Sequence, residues 1–210
     1  MNQLSKAGAF TLLSVACLTI MVGCVIVPGL NTIAQQLGVP QAASWLVTVP
    51  SLGVVIFGPL AGKAIDKMGA HGALGWGLFL YGLLGAGGVI LHGLVPVLLN
   101  RLLLGGATAL VMASGTGLIS GFYHGDARLK MIARQGMSIE LGGVIFLSIG
   151  GLLATAGWRW PFLLYLLAWL LLIMFMLFVP KLPPGEQGSP EHSAAPVSYT
   201  HLTLPTIYSV

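Results

Sequence analysis

The chain has 210 residues, of which 56% are hydrophobic and only 7% charged. A soluble domain carries about 25% charged residues, so the composition excludes an ordinary wetted surface and points to an integral membrane protein. A net charge of +4 made up of so few ions also argues against a nucleic-acid partner.

Six apolar runs are long enough to cross a bilayer, which takes about 20 residues each. They fall near 8–30, 44–64, 73–92, 96–121, 132–156 and 160–179. Backbone exposed to lipid must satisfy its own hydrogen bonds, so the runs are expected to be helices. The fold class is therefore all-α integral membrane, with one six-helix membrane domain over residues 1–180.

The first run holds Cys17 and Cys24, seven apart, with no His or carboxylate at ligand spacing. They read as membrane-buried thiols, and neither a metal site nor a cofactor is expected. Met21-Val-Gly-Cys24 looks like a lipoprotein cleavage box, but Val25 to Leu30 carries the apolar run straight on, unlike a cleaved signal. Pro28 removes one backbone hydrogen bond and permits a bend. Gln35 to Gln41 is expected to form a polar exit loop.

The second run starts at Trp45, contains Pro50 and Pro59, and ends in Gly58-Pro-Leu-Ala-Gly-Lys-Ala-Ile-Asp-Lys-Met-Gly-Ala-His71. The small residues there predict a close helix approach, with Lys63, Asp66 and Lys67 placed where the helices leave the lipid. The third run has Gly at 75, 77, 82, 85, 87 and 88, a density that suits close packing in a membrane.

The fourth run holds Asn100 and Arg101, then Gly105 and Gly106. A guanidinium inside a membrane is costly, by roughly 3 kcal/mol on insertion scales, and is functional by default. The competing reading is snorkelling, since Arg101 lies only about 8 Å inside the expected helix start. The fifth run holds Gln135, Ser138 and Glu140, then Gly142, Gly143, Gly150 and Gly151. A desolvated Glu140, roughly 12 Å into that helix, could bind and release a proton near neutral pH; the alternative is a carboxylate paired with Arg134. A direct Arg101–Glu140 pair is not expected, because about 10 Å of height separates them in a core about 30 Å thick. Before the sixth run, Gly157-Trp-Arg-Trp-Pro-Phe162 suits the headgroup region.

With the N-terminus inside, Lys6, Lys63, Lys67, Arg128, Lys130, Arg134 and Lys181 are all cytoplasmic and Arg159 alone lies outside, a positive-inside bias. After Pro180, residues 181–196 form a polar, Pro/Gly-rich linker. Residues 197–210 resemble translated adaptor sequence and are read as a non-native tail.

The spacing Gly62-x-x-x-Asp66-Lys67-x-Gly69 resembles the loop between helices 2 and 3 of the major facilitator superfamily, although Ala70 and His71 stand where two basic residues are usual. Gly23-x4-Pro28-Gly29-Leu30 resembles the end of helix 1 in the drug-efflux branch, Arg101-x-x-x-Gly105-Gly106-Ala107 is similar to the antiporter helix-4 motif, and Trp158-Arg159-x-x-Phe162 resembles the entry to helix 6. The resemblance implies half of a major facilitator fold, two inverted three-helix repeats, with transport by alternating access between two halves. It implies a substrate and proton path including Arg101, Glu140 and Asn31, a gating loop of Gly62, Asp66, Lys67 and Gly69, and helix packing at Gly105, Gly106, Gly142, Gly150 and Gly151. Helix 5 departs from the antiporter pattern, with Phe146 and Leu147 where Gly and Pro belong.

The expected function is that of a fragment of a multi-pass inner-membrane carrier. Its parent exports small amphipathic molecules in exchange for protons, and the missing C-terminal half is needed for transport. The lipid bilayer, the substrate and protons are the expected partners. The alternatives are uptake of a small organic anion with Arg101 as counter-charge, and a non-transporting six-helix scaffold. An enzyme is not expected: no Ser/His, paired-Asp or His-Glu-x-x-His arrangement lies in the membrane, and no phosphate loop is present.

Overall fold

In the computed structural model, residues 4–181 are described, and they are helical apart from short connections. The helices are α1 (Lys6–Cys24), α2 (Leu30–Gln36), α3 (Trp45–Gly87), α4 (Leu94–Phe122), α5 (Gly125–Ala156), α6 (Trp160–Leu163) and α7 (Leu167–Phe178). Apart from Lys181, the expected linker and tail lie outside the described residues.

Among the described residues, five helical stretches are long and apolar enough to cross a membrane: Lys6–Gln36, Trp45–Gly87, Leu94–Phe122, Gly125–Ala156 and Trp160–Phe178. The second apolar run and all but the end of the third, expected to reach 92, fall within α3, which stops at Gly87. Its 43 residues would span about 64 Å as a straight helix, twice the hydrocarbon thickness. Gly69 prevents that, because its backbone (φ 78°, ψ 156°) is non-helical. Such a φ is open to glycine at no steric cost.

Packing on α4 shows what the turn does. A Cβ on Gly53 would meet the Leu102 carbonyl, and one on Gly117 would touch Ala70 at 3.6 Å, so the first part of α3 runs alongside α4 in the same direction. Beyond Gly69, a Cβ on Gly77 would sit 3.0 Å from Val111, and the Asn100 side-chain amide donates to the Leu84 carbonyl at 3.0 Å. The second part therefore runs back along α4. The loop anticipated between the two runs shrinks to one residue, since nothing from Lys63 to Met68 breaks a helix.

Other boundaries moved for similar reasons. The expected exit loop begins later, because Gln35 and Gln36 continue α2 after a 3₁₀ turn at Val27–Gly29 that absorbs Pro28. Helix α5 starts seven residues before the expected 132; Asp126 lies in its first turn, where an acid complements the helix dipole.

The core is built on α1, α3, α4 and α7, with Leu12, Leu18, Leu78, Leu104 and Phe175 almost fully buried. Large apolar side chains also point outward, among them Val55, Ile90 and Leu152 at 72–79% exposure, as expected where lipid is the solvent. Glycines set the closest contacts. A Cβ on Gly105 would meet the Pro50 carbonyl, one on Gly106 would press on the Phe57 ring, and one on Gly142 would stand 2.7 Å from Cys17. Gly150 lies against the Val25 backbone and Gly151 against Pro28. Gly58 and Gly62 behave otherwise: a Cβ there meets nothing within 4 Å, so among the described residues no close approach is made at these two glycines of the motif.

Candidate functional site

Seven residues into α4, Arg101 is only 1% exposed and heads the largest fully buried side chains. It does not reach water as a snorkelling side chain would. Its Nη1 donates to the Tyr165 hydroxyl at 3.2 Å. That hydroxyl in turn donates to the Val22 carbonyl of α1 at 2.9 Å. The guanidinium lies over the Phe162 ring, 5.2 Å from its centroid, and 5.9 Å from that of Tyr165. Nη2 is buried and, among the described residues, has no hydrogen-bond partner.

The sequence builds this site from two matching stripes. Phe162, Tyr165 and Trp169 recur at helical spacing around a 3₁₀ turn at Leu164–Leu166, and Gly82, Gly85 and Gly88 recur on α3. A Cβ on Gly82 would strike Trp169, one on Gly85 would strike the Tyr165 ring, and one on Gly88 would crowd Phe162 at 3.2 Å. The glycines thus let the aromatic stripe sink far enough to reach Arg101. Tyr81 completes the wall, its ring 5.7 Å from that of Tyr165 and its hydroxyl donating to the Leu18 carbonyl at 2.6 Å.

The energetics favour a held, still unsatisfied cation. A hydrogen bond to a charged group contributes about 1.5–3 kcal/mol, and a desolvated cation–π contact about 2 kcal/mol. Together these offset the roughly 3 kcal/mol insertion cost without supplying a counter-charge. The site can therefore attract an anion or raise the local potential felt by a proton.

Many hydroxyls of the spanning helices are used up within their own helices. Thr11, Thr19, Thr108, Ser114 and Ser148 donate to carbonyls three or four residues back. Besides the bonds around Tyr165, Tyr81 and Asn100, polar contacts between helices include Gln135 donating to Thr116 at 3.1 Å, joining α5 to α4, and the Cys17 thiol donating to the Ser138 carbonyl at 3.0 Å.

The other residues proposed for the path do not gather here. Glu140 is exposed on α5, on the side away from Gly142, Phe146 and Gly150, which pack inward. The desolvated setting anticipated for it is not formed by the described residues. Asn31 is exposed on α2. In the gating motif, Gly62, Asp66 and Lys67 are exposed and Gly69 is buried in the turn. Tyr165 and Tyr81 carry no motif of their own, and Phe162 enters from sequence only as the end of Trp158-Arg159-x-x-Phe162; the matched glycine and aromatic spacings are the available signal for the cluster.

A model of the Major Facilitator Superfamily matches residues 11–207. The chain is similar to the quinolone resistance protein NorA of Staphylococcus aureus, with 26% identity over 138 residues to the proteins of strains Mu50, N315 and COL. The matched region is 65% of this chain and 36% of each relative's length.

Proposed function

This chain belongs to the major facilitator superfamily, and on that premise we propose that it forms the N-terminal half of an exporter of small amphipathic or apolar molecules, coupled to protons. The observation that carries the reading is Arg101: a buried guanidinium fixed by Tyr165, with Nη2 left without a partner among the described residues. The name of its NorA relatives, quinolone resistance protein, supports a drug-sized substrate.

We read the half as six spans, with α3 counted as two, Trp45–Met68 and Ala70–Gly87, on either side of Gly69. The contacts support two inverted three-helix repeats. The first part of α3 packs on α4 through Gly53 and Gly105, and α5 packs on α1 through Gly142 and Cys17. The second part of α3 packs on α4, and α7 packs on α1. Exchanging each helix of one repeat for its counterpart maps one set of pairs onto the other. The basic residues favour a cytoplasmic N-terminus, which puts Lys63, Asp66 and Lys67 at the inner gate.

The spans' supply of aliphatic and small side chains suits export of loosely specified solutes, and Arg101 would raise the local potential on the proton path. Glu140 would act as proton carrier once the second half covers its exposed face. The unpartnered Nη2 also favours a second reading, uptake of a small organic anion that meets Arg101 directly.

Arg101→Lys in the full-length protein separates the two readings. Lysine keeps the charge and loses the planar fork. An antiporter loses coupling, so that efflux stops responding to an imposed pH gradient. An anion carrier loses substrate affinity and shows little pH dependence either way. If Arg101→Ala and Glu140→Gln both leave gradient-driven efflux intact, neither residue carries the coupling.

A further inference from the structure

A groove of about 360 Å³ runs between the two parts of α3 and α4. Phe57, Leu60, Ala61 and Ala64 form one side, Leu84 and Leu110 face them, and every lining residue is apolar. The four α3 residues follow the i, i+3, i+4, i+7 stripe of one helix face. Continued by the same spacing, the stripe reaches Lys67 and Met68, both exposed. Asp66 falls on the opposite face. By helical spacing, an apolar groove within a membrane-spanning region is thus followed by the Lys67 cation.

From Phe57 to Lys67 the stripe covers about 15 Å of helix axis. That matches one leaflet, half of a hydrocarbon core about 30 Å thick. We propose that this groove is a binding site for an anionic phospholipid, its phosphate held by Lys67 and one acyl chain lying along Leu60 and Ala64. The small side chains of Ala61, Ala64, Gly106 and Ala107 give the chain room. Lys63, one turn above Lys67 and also exposed, adds attraction for the headgroup. None of the groove's lining residues is among those that hold the Arg101 guanidinium, and the site holds whether or not the protein exports anything.

Native mass spectrometry of this chain, purified in detergent with equal phosphatidylglycerol and phosphatidylcholine, tests it. The unaltered chain is expected to retain phosphatidylglycerol in preference. Lys67→Gln should reduce that preference about fivefold, the effect of one cation at a membrane surface. Lys130→Gln, at an exposed lysine of α5, should change it less than twofold. Ala64→Phe should lose both lipids by filling the groove; if that variant does not fold, Leu60→Trp at a position 53% exposed fills the same space. The proposal is overturned if Lys67→Gln keeps the full preference. It is equally overturned if the groove-filling variant holds both lipids at the original level, or if Leu60→Cys crosslinks two copies in membranes, which would make the groove a protein interface.

Discussion

The Tyr165 hydroxyl stands between Arg101 and the backbone of α1, accepting from Nη1 at 3.2 Å and donating to the Val22 carbonyl at 2.9 Å. One oxygen therefore ties the buried cation of α4 to the first helix. Removing it strands a buried guanidinium N–H and a partly buried carbonyl. Tyr165→Phe keeps the ring and its contact with the guanidinium, yet should destabilise the chain by about 1.5–3 kcal/mol. In an Arg101→Leu background the same change should cost less, because one of the stranded groups is gone. Chemical unfolding of the four proteins in detergent measures that difference, and strict additivity would show that the two side chains are not coupled.

The glycines facing the aromatic stripe should not be equivalent. Gly85→Ala drives a Cβ into the Tyr165 ring, whereas at Gly87 a Cβ meets nothing within 4 Å. We expect Gly85→Ala to lower stability by about 1–3 kcal/mol through overpacking and Gly87→Ala to be neutral or slightly stabilising. Thermal unfolding of the two variants side by side tests the packing; equal shifts would contradict it.

Two glycines of the charged motif should also part company. Gly69 adopts φ 78°, ψ 156°, a region essentially confined to glycine, so Gly69→Ala should cost about 1–3 kcal/mol. Gly62 has open space around it, and Gly62→Ala should leave folding intact. If the chain is half of a transporter, as proposed, and Gly62→Ala nevertheless abolishes transport, the residue serves a conformation in which a neighbouring helix comes close. Unfolding and transport assays on the same preparations distinguish the two effects.

Membrane orientation is open to labelling, since Gln41, Ala127 and Ala156 are all exposed. With the native cysteines replaced, single cysteines at 41 and 156 should react with an impermeant maleimide added to intact cells, and one at 127 should not. Reaction at 127 would reverse the orientation drawn from the basic residues.

Composition and spacing by themselves determine the membrane class and the approximate position of each apolar run, because long apolar segments admit no other backbone than helix in lipid. They also mark the single guanidinium in the fourth run, since an ion in so apolar a stretch is conspicuous. Tertiary structure decided the rest. That α3 reverses at one residue depends on the φ of Gly69, and Lys63 to Met68 contain no local signal that stops a helix. That Arg101 is buried, with Tyr165 and Phe162 around it, depends on glycines 82, 85 and 88 meeting an aromatic stripe some 80 residues away; either pattern alone reads only as helix packing. Glu140 shows the opposite limit. Its depth along α5 can be counted from the sequence, but desolvation depends on which face of the helix is covered, and that is settled by the partners a helix packs against rather than by the helix itself.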